Sequence, residues 1–375
     1  MKRIIIGADI VPTDSNQTMF SQADIDSLIG NDLHKRFQEA SFIAMNLEVP
    51  LVDSADPITK CGPNLIAPSN TIQGIKAINP YFLTLANNHI MDQGIGGLRS
   101  TVNILSCNGI DFSGVGENLS KAREPYIRTI DDVRLGVYCC TEHEYSIATN
   151  TQAGANPYDP LFSFDDVREL KKACDYVIVL YHGGKEHYRY PSPLLQKVFH
   201  KFAEVGADLV IAQHTHCIGC MEKYGGSTLV YGQGNFLFDH SKSDYWRTSI
   251  LIEVDLESRT VDFIPIVKID NYVREAKDQE RETILREFYN RSNDILKEGF
   301  IESKYRELAE EMLTGYLLRF SGGFSNNIII RVLLRLTHLN WLKKIYRRKT
   351  RIGIENVLDC EAHRELAAES MRISD

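Results

Sequence analysis

The chain has 375 residues, of which 43% are hydrophobic and 25% are charged, and its formal net charge at pH 7 is −8. This composition is typical of a globular protein with room for one large domain and an appended segment. The acidic balance disfavours a nucleic-acid-binding surface over the whole molecule, so we expect no nucleic-acid partner.

The N-terminal sequence holds no targeting segment of the usual length. Its longest apolar run before Asp9 is three consecutive isoleucines followed by glycine. The apolar core of a signal peptide takes about 7–15 residues and a membrane span about 20, and no stretch of the chain approaches the second length. We therefore expect a cytoplasmic protein, in which the eight scattered cysteines stay reduced.

Short apolar runs then alternate with amphipathic segments. The predicted strands cover 3–7, 42–47, 82–86, 135–140, 176–181 and 209–212, and the predicted helices cover 23–38, 97–107, 164–173 and 193–205. Aliphatic runs bounded by polar residues or glycine are typical of buried strands in a largely parallel sheet. The alternation predicts a layered α/β domain.

Beyond His216 the pattern changes. Segments 228–233, 249–255 and 260–267 are predicted strands with little helix between them, which favours antiparallel pairing. From residue 270 onward the sequence is charged, with predicted helices over 275–298 and 302–320 and a break at Gly322 and Gly323. We therefore expect an α/β domain over 1–270 and a helical C-terminal extension over 271–375.

Residues that can bind metals follow five of the predicted strands. They are Asp9, Glu48, Asn88, His182, His214 and His216. Ligands of α/β sheets bind at the carboxyl ends of the strands, so these side chains are expected to converge. Each one alone has an ordinary alternative as a hydrogen-bonded core residue, but the whole set predicts a metal site. Its mixture of carboxylate, amide and imidazole suits manganese, iron or zinc.

The pair His214 and His216 strengthens this prediction. Side chains of an extended segment alternate between its two faces, so residues two apart point to the same side. We therefore expect both imidazoles to reach one site.

Six motifs occur in a fixed order along the chain. They are Asp9; Asn46-Leu47-Glu48; Asn87-Asn88-His89 followed by Asp92 and Gly94; His182 with Gly184 and Glu186; Gln213-His214-Thr215-His216; and Gly234-Asn235-Phe236 with Asp239. This series resembles the CapA family, bacterial capsule and poly-γ-glutamate biosynthesis proteins built on the calcineurin-like metallophosphoesterase fold. The resemblance covers 1–270 and depends on the ordered set rather than on any single motif.

The resemblance implies a four-layer α/β/β/α sandwich that holds two divalent metal ions, manganese, iron or zinc, at its strand ends. Glu48 matches the position of a metal-bridging aspartate. The other implied ligands are Asn88, His182 and His214 for one metal and Asp9 and His216 for the second. His89 matches the histidine that protonates the leaving oxygen, and Asp92 is expected to orient it.

Two residues depart from the usual metallophosphoesterase pattern. Val11 stands where the histidine of an Asp-x-His motif is usual, so one metal loses an imidazole ligand. Glu48 replaces the shorter aspartate and changes the geometry of the bridge. Both departures belong to the CapA pattern and leave open whether the protein is a catalyst.

Other residues have two readings each. Lys185 and Arg189 either meet a substrate phosphate or carboxylate or belong to a solvated loop. Glu142-His143-Glu144, at another strand end, either lines the pocket or does not. Cys217 and Cys220 form a Cys-x-x-Cys pair without a second pair, which favours incidental buried thiols over a zinc or redox site.

Segment 328–351 is rich in aliphatic and basic residues and contains no acidic residue. Such a segment can form an amphipathic helix on an anionic membrane surface, at the inner face of the cell membrane in this case. The alternative is a helix packed on the α/β domain with a solvated basic end.

These observations leave three functional readings. The first is a metal-dependent phosphoesterase-like hydrolase or related transferase that acts on a phosphorylated or anionic substrate in the synthesis of a surface polymer. The second is a non-catalytic subunit of the same fold that binds polymer or assembles a capsule biosynthesis or export complex. The third is a nucleotidase-like enzyme, which predicts an aromatic clamp for a base.

Overall fold

The computed structural model describes residues 2–238, 243–320, 332 and 346–371. The chain forms two compact units, Met1–Ile301 and Glu302–Asp375. This division lies later in the sequence than the boundary expected near residue 270, because a helix over Asp278–Asp294 packs against the first unit. Phe288 of that helix is buried in a core that also contains Ile252 and Phe263.

The first unit is built from strands and helices in alternation. Its strands are β1 Arg3–Ile10, β2 Phe42–Leu47, β3 Phe82–Thr84, β4 Asp111–Ser113, β5 Val115–Gly116, β6 Tyr126–Ile130, β7 Val133–Thr141, β8 Gly154–Ala155, β9 Tyr176–His182, β10 Leu209–Gln213, β11 Met221–Tyr224, β12 Ser227–Val230, β13 Asn235–Leu237, β14 Thr248–Asp255, β15 Thr260–Ile269 and β16 Tyr272–Glu275. Its helices are α1 Gln17–Ser21, α2 Ile25–Leu28, α3 Asn31–Glu39, α4 Ile72–Ile78, α5 Gly94–Cys107, α6 Leu119–Ala122, α7 Ser163–Ala173, α8 Pro193–Glu204 and α9 Asp278–Asp294, with 3₁₀ turns at Ser69–Thr71 and Asp244–Trp246.

Two mixed sheets carry most of the strands. The first has the order β16-β15-β14-β1-β2-β3-β4, with β13 also paired to β1, and the second has the order β11-β12-β10-β9-β7-β6. Strands β1 to β4 are parallel, and β14, β15 and β16 are antiparallel to their neighbours. In the second sheet β7, β9, β10 and β12 are parallel, with antiparallel strands at the two edges. The antiparallel pairs expected in this part of the chain are present, β12 with β11 and β14 with β15, and β12 is in addition parallel to β10.

Alternating side chains of the strands face two different cores. Ile4 and Ile6 of β1 pack with Val137 of β7 in the core between the sheets. Ile5 points the other way, toward α3, α4 and α5 on the outer face of the first sheet. On the outer face of the second sheet, Val179 of β9 packs against α7 and α8. The layers confirm the expected α/β/β/α sandwich.

Two predicted helices have different bounds in the structure. The helix expected over 23–38 is divided into α2 and α3, because Ile29 forms a β-bridge with Val273 and Gly30 donates its N–H to the carbonyl of Val273 at 2.8 Å. The helix expected from residue 275 begins at Asp278, since Glu275 belongs to strand β16. In both places pairing to the sheet outweighs the local helical pattern.

The second unit is helical. It contains most of α10 Phe300–Phe320, together with α11 Arg348–Asp359 and α12 Glu361–Ser370. The basic segment 328–351 lies outside the described residues except for 332 and 346–351. Within the described part of the chain, no helix combines the length and the apolar character needed to cross a membrane.

Candidate metal centre

The carboxyl ends of parallel strands bring the predicted ligands together. In the first sheet Asp9 of β1 is paired with Asn46 of β2, and Glu48 follows β2 directly. In the second sheet β9 ends at His182, while His214 follows the neighbouring strand β10. The candidate site therefore combines strand ends of both sheets, as the topology of an α/β domain predicts.

Glu48 is common to both groups of closely spaced ligand atoms. One group joins Glu48 to His214 and His216, the other joins it to Asp9 and His182, and the atoms of each group lie within 4.8 Å of one another. His182 Nε2 lies 3.2 Å and His214 Nδ1 lies 4.0 Å from Glu48 Oε1. A position shared by two groups is what a bridging ligand requires. The grouping differs from the division that the resemblance implies, since it places His182 with Asp9 rather than with His214.

A chain of buried amides holds Asp9 and His182 in place. Asn46 Nδ2 donates to Asp9 Oδ1 at 2.8 Å and contacts His182 Nδ1 at 3.3 Å. Asn87 Nδ2 donates to Asn46 Oδ1 at 3.1 Å and to the carbonyl of Leu47 at 2.8 Å, which fixes the direction of the Asn46 amide. The hydrogen bonds of Asn46 and Asn87 thus explain why both asparagines accompany the ligands at the strand ends.

Asn88 is oriented from outside the cluster. Its Oδ1 lies 3.0 Å from His182 Nε2, and its Nδ2 donates to Glu144 Oε2 at 3.0 Å. A carboxylate only accepts hydrogen bonds, so Glu144 fixes the amide with its oxygen toward the cluster. Of the two readings of Glu142-His143-Glu144, this contact supports the one in which the segment lines the site.

His214 and His216 reach the site in a conformation that the sequence did not predict. Strand β10 ends at Gln213, and the φ angles of His214 and His216 are 82° and 52°. Both residues are therefore left-handed rather than extended, and the argument from alternating faces was wrong. Backbone strain of this kind costs about 1–3 kcal/mol per residue and is concentrated at functional sites.

Asn235 supports His216 from strand β13. Asn235 Oδ1 lies 2.8 Å from His216 Nδ1, and the Asn235 backbone is paired with Asp9. Gly234 precedes it with φ of +79°, and a Cβ there would lie 2.8 Å from the carbonyl oxygen of Thr248. Glycine is therefore required for the chain to bring Asn235 to this place.

The two buried carboxylates respond differently to their surroundings. Burial and repulsion from Glu48 raise the pKa of Asp9 well above its usual range. Burial also acts to raise the pKa of Glu48, but attraction to His182 and the other imidazoles outweighs it and holds this pKa well below its usual range. The negative charge of the buried pair is therefore concentrated on Glu48 rather than on Asp9.

The three histidines also differ. Burial lowers the pKa of His182 to about 4 against the opposing influence of Glu48, and burial lowers the pKa of His216 as well. For His214 the nearby carboxylate of Glu48 outweighs burial and raises the pKa to about 9. Neutral imidazole is the form that binds metals, so His182 and His216 are ready to act as ligands and His214 must first lose a proton.

Unpartnered buried atoms test whether a metal fits. Asp9 Oδ2, both oxygens of Glu48 and His214 Nδ1 are buried and have no hydrogen-bond partner among the described residues. A buried polar atom without a partner costs about 1–3 kcal/mol. Divalent cations would satisfy these atoms, and the set of carboxylate, amide oxygen and imidazole matches what manganese, iron and zinc accept. The residues therefore fit a metal centre.

Val11 contributes nothing to this centre. Its side chain is buried in the core between the first sheet and its helices, and its N–H donates to the carbonyl of Leu237 at 2.7 Å. A core residue therefore occupies the histidine position of the Asp-x-His motif, and this position supplies no metal ligand.

His89 follows Asn88 in the chain and is held by Asp92. His89 Nδ1 is 2.6 Å from Asp92 Oδ2, which is fully buried and also accepts the N–H of Leu65 at 2.6 Å. Lys60 contacts the same carboxylate through Oδ1 and lies 3.2 Å from His89 Nδ1. Sequence reasoning found His89 and Asp92 but missed Lys60, because a single lysine in a loop belongs to no recognisable pattern.

Aromatic residues border the site on the side of His216. The ring centroid of Trp246 is 5.1 Å from that of His216, with the planes 29° apart. Trp246 Nε1 donates to His187 Nε2 at 3.0 Å, and Arg189 lies 4.7 Å from the centroid of Tyr245. Sequence patterns do not reveal these aromatic residues, because they come from a segment between two strands and share no spacing with the ligands.

The remaining candidates lie outside the cluster. Lys185 is exposed, and Arg189 donates to a backbone carbonyl at 2.8 Å. Cys217 and Cys220 are both buried free thiols, and burial raises the pKa of each, as expected for incidental core cysteines. Asp239 of the last motif lies outside the described residues.

Comparison with known proteins gives a consistent result. Residues 3–240 match the family described as bacterial capsule synthesis protein PGA_cap. The chain is 27% identical over 273 residues to the PGA biosynthesis protein CapA of Bacillus subtilis (strain 168), which covers 68% of this chain and 70% of that protein. It is 27% identical over 244 residues to the capsule biosynthesis protein CapA of Bacillus anthracis, which covers 62% of this chain but only 59% of that one.

Among solved structures, a phosphatase from Mycoplasma pneumoniae superimposes with a TM-score of 0.45 and 14% identity, over 72% of this chain and 94% of that one. At this TM-score the likeness supports no conclusion about the present chain.

Proposed function

Because the chain belongs to the bacterial capsule synthesis protein PGA_cap family, we propose that it is a metal-dependent phosphoesterase-like hydrolase, or a related transferase, in the synthesis of a capsule or poly-γ-glutamate-type surface polymer. The observation that carries the proposal is Glu48, whose two buried oxygens have no hydrogen-bond partner among the described residues, while imidazole nitrogens that can bind metal lie 3.2 and 4.0 Å from Oε1. The position of such a carboxylate is explained by bound cations rather than by a contribution to the stability of the fold.

The proposed cofactors are two divalent metal ions, manganese, iron or zinc. Glu48 would contact both, and Asp9, Asn88 and the three histidines would complete the set. When bound, such ions supply Lewis acidity toward a phosphoryl group and activate water as a nucleophile. The low pKa of Glu48 and the neutral state of His182 and His216 prepare these side chains for that role.

His89 is the proposed general acid. It follows Asn88 directly in the chain, and its Nδ1 is occupied by Asp92 at 2.6 Å. With Nδ1–H held by Asp92, Nε2 is the nitrogen that can take up a second proton and deliver it to the leaving oxygen. General acid catalysis of this kind contributes about 10²–10⁴-fold to a rate.

Two alternatives keep specific support. The missing imidazole at Val11 favours a non-catalytic subunit that binds polymer or assembles a biosynthetic complex. Trp246, beside His216, and Tyr245, beside His187, provide the aromatic surface that a nucleotidase-like enzyme would use for a base. Substrate tests must therefore include nucleotides as well as simple phosphoesters.

The test uses the full chain loaded in turn with manganese, iron and zinc. Hydrolysis of p-nitrophenyl phosphate, bis-p-nitrophenyl phosphate and a panel of nucleotides is measured for the parent, for His89→Ala and for His34→Ala. We expect turnover by the parent, a loss of about 10²–10⁴-fold in kcat for His89→Ala, and no change for His34→Ala. His34 lies on α3 and contacts Gln38, away from the cluster. No turnover by the metal-loaded parent would reject the hydrolase and favour the binding subunit.

Location and partners remain predictions. We propose action in the cytoplasm with a phosphorylated or anionic substrate, as part of a capsule biosynthesis complex. Attachment to the inner face of the membrane through 328–351 is a separate proposal, since most of that segment lies outside the described residues. If a chain shortened at residue 327 is recovered with membranes as often as the full chain, that attachment is rejected.

A further inference from the structure

We propose that Lys60 is a positioning residue that fixes the orientation and tautomer of His89 through Asp92. The catalytic consequence rests on the proposed phosphoesterase function, whereas the tautomer can be measured without any activity.

Lys60 belongs to a loop that is tied to the site at several points. The loop covers residues 52–66, between Leu51 and Ala67, which form a β-bridge at its base. The N–H of Ile58 donates to the carbonyl of Asp92 at 3.1 Å, and the N–H of Leu65 donates to Asp92 Oδ2 at 2.6 Å. Asp92 thus holds the loop with its backbone as well as with its side chain.

Gln93 adds two further attachments. Its Oε1 accepts the N–H of Asp56 at 2.8 Å, and its Nε2 donates to the carbonyl of Leu65 at 2.9 Å. Both ends of the loop are therefore fixed to the turn that follows His89, and Lys60 lies between the two attachments.

The burial of Lys60 is unusual for such a loop. Residues 53–57 and 61–63 are exposed, yet the Lys60 side chain is only 2% exposed. A lysine on an exposed loop can place its ammonium in water at no cost, whereas burial requires a paired carboxylate. Core packing alone therefore does not explain why the Lys60 side chain is buried. The partner that stabilises it there is Asp92, whose side chain is fully buried.

The hydrogen-bond roles determine the tautomer. Ammonium and backbone N–H groups can only donate, so Asp92 accepts from Lys60 through Oδ1 and from Leu65 through Oδ2. A carboxylate that accepts at both oxygens has no proton to give to His89, and the 2.6 Å contact therefore requires the hydrogen on His89 Nδ1. Lys60 Nζ lies 3.2 Å from Nδ1 and cannot donate to a nitrogen that already carries a hydrogen. The Lys60 ammonium and the His89 Nδ1–H lie this close together because both donate to the Asp92 carboxylate.

Without the ammonium, Asp92 loses the donor on Oδ1 and the loop loses its central attachment. With the carboxylate no longer held against Nδ1, the His89 ring is free to rotate and to exchange tautomers, and Nε2 is no longer directed at the leaving oxygen. Groups that orient a catalytic or ligating histidine through its second nitrogen commonly contribute about 10–100-fold to activity.

The test compares the parent with Lys60→Met, which keeps the length of the side chain and removes its charge. Lys171→Met is the matched control, because Lys171 donates to Asp208 at 2.7 Å in a partly buried ion pair that precedes β10, at the opposite end of that strand from His214. Long-range ¹H–¹⁵N spectra of histidine-labelled full chain, with and without zinc, report the tautomer of each ring, and His89→Gln identifies the His89 signals.

We expect the Nδ1–H tautomer of His89 in the parent and in Lys171→Met, and a mixed or Nε2–H form in Lys60→Met. We also expect kcat to fall about 10–100-fold in Lys60→Met with little change in KM and with unchanged metal content. If Lys60→Met does not fold, Asp92→Asn provides the same comparison, because its amide can no longer accept from both neighbours. The Nε2–H tautomer in the parent, or retention of Nδ1–H in folded Lys60→Met or its substitute Asp92→Asn, would overturn the proposal. If the parent has no phosphoesterase activity but shows the expected tautomers, the function fails and the role of Lys60 stands.

Discussion

Two buried clusters in the first unit join a glutamate to histidine, and they are built on opposite principles. In the first, both oxygens of Glu48 have no hydrogen-bond partner among the described residues, although His182 and His214 lie close to them. In the second, Glu222 of β11 is similarly buried, but its Oε1 accepts from Tyr231 at 2.6 Å and contacts His200 Nε2 at 2.9 Å.

The difference separates a functional carboxylate from a structural one. Gln196, one turn before His200 on α8, adds a further donor to Glu222 at 3.2 Å, so protein groups alone satisfy that charge. Around Glu48 the nearest imidazole nitrogens lie 3.2 and 4.0 Å from Oε1 and do not meet hydrogen-bond geometry, although they are close enough to share a metal ion. A folded protein maintains such an arrangement only at a cost in stability, which a bound cation offsets.

The largest effect is expected from Glu48→Gln, which keeps the shape of the side chain and removes its charge. Even residues that only support a metal ligand change affinity by about 10–100-fold, so loss of the shared ligand is expected to weaken manganese and zinc binding by more than about 100-fold. Calorimetric titration of parent and variant measures this change. A variant that binds metal as tightly as the parent would place the metals elsewhere.

Glu222→Ala is expected to show the opposite behaviour. It leaves the hydroxyl of Tyr231 and the ring of His200 without their acceptor, so the free energy of unfolding should fall by about 1–3 kcal/mol. Urea unfolding measures this loss, and metal affinity should remain that of the parent. Reduced metal affinity in correctly folded Glu222→Ala would remove the distinction between the two clusters.

Metal binding should also depend on pH. His214 has a pKa raised to about 9, so it holds a proton at neutral pH that must leave when metal binds. His182 and His216 release none, because their pKa values are lowered. Affinity should therefore rise with pH from 6 toward 9, by about tenfold per unit for each proton released. Titrations in buffers of different ionisation enthalpy count the protons, and binding without proton release would contradict these protonation states.

The smallest effect is expected from Asn235→Ala. Asn235 contacts His216 Nδ1 at 2.8 Å and fixes its ring, so its removal should weaken metal binding by about tenfold while leaving two ions bound at saturation. The stoichiometry from titration distinguishes this from loss of a ligand. A variant that binds a single ion at saturation would identify Asn235 as a ligand itself.

Much of the fold can be predicted from the sequence, because aliphatic runs mark the buried strands and the residues after each run mark the strand ends. The aliphatic runs that became β1, β2 and β9 are buried on both faces, and Asp9, Glu48 and His182 could be placed at one edge of the sheets from strand position alone. Where the prediction failed, tertiary pairing decided instead. Gly30 left the helical pattern because strand β16 offered a backbone acceptor.

The support around the ligands was less accessible to sequence reasoning. Lys60 and Glu144 lie in loops, and their roles depend on contacts across 32 and 56 positions of the chain. The left-handed conformations of His214 and His216 follow from the surroundings of the turn, and no pattern of side chains predicts them. Ligand types at strand ends are therefore predictable, whereas the groups that orient the ligands require the fold.

The most direct test of the metal centre is anomalous X-ray scattering from crystals of the full chain grown with manganese or zinc. We predict two peaks about 3.5–4 Å apart, one on each side of the Glu48 carboxylate. Crystals that show no anomalous peak within bonding distance of Glu48 would contradict the account, and the unpartnered carboxylate would then need another explanation.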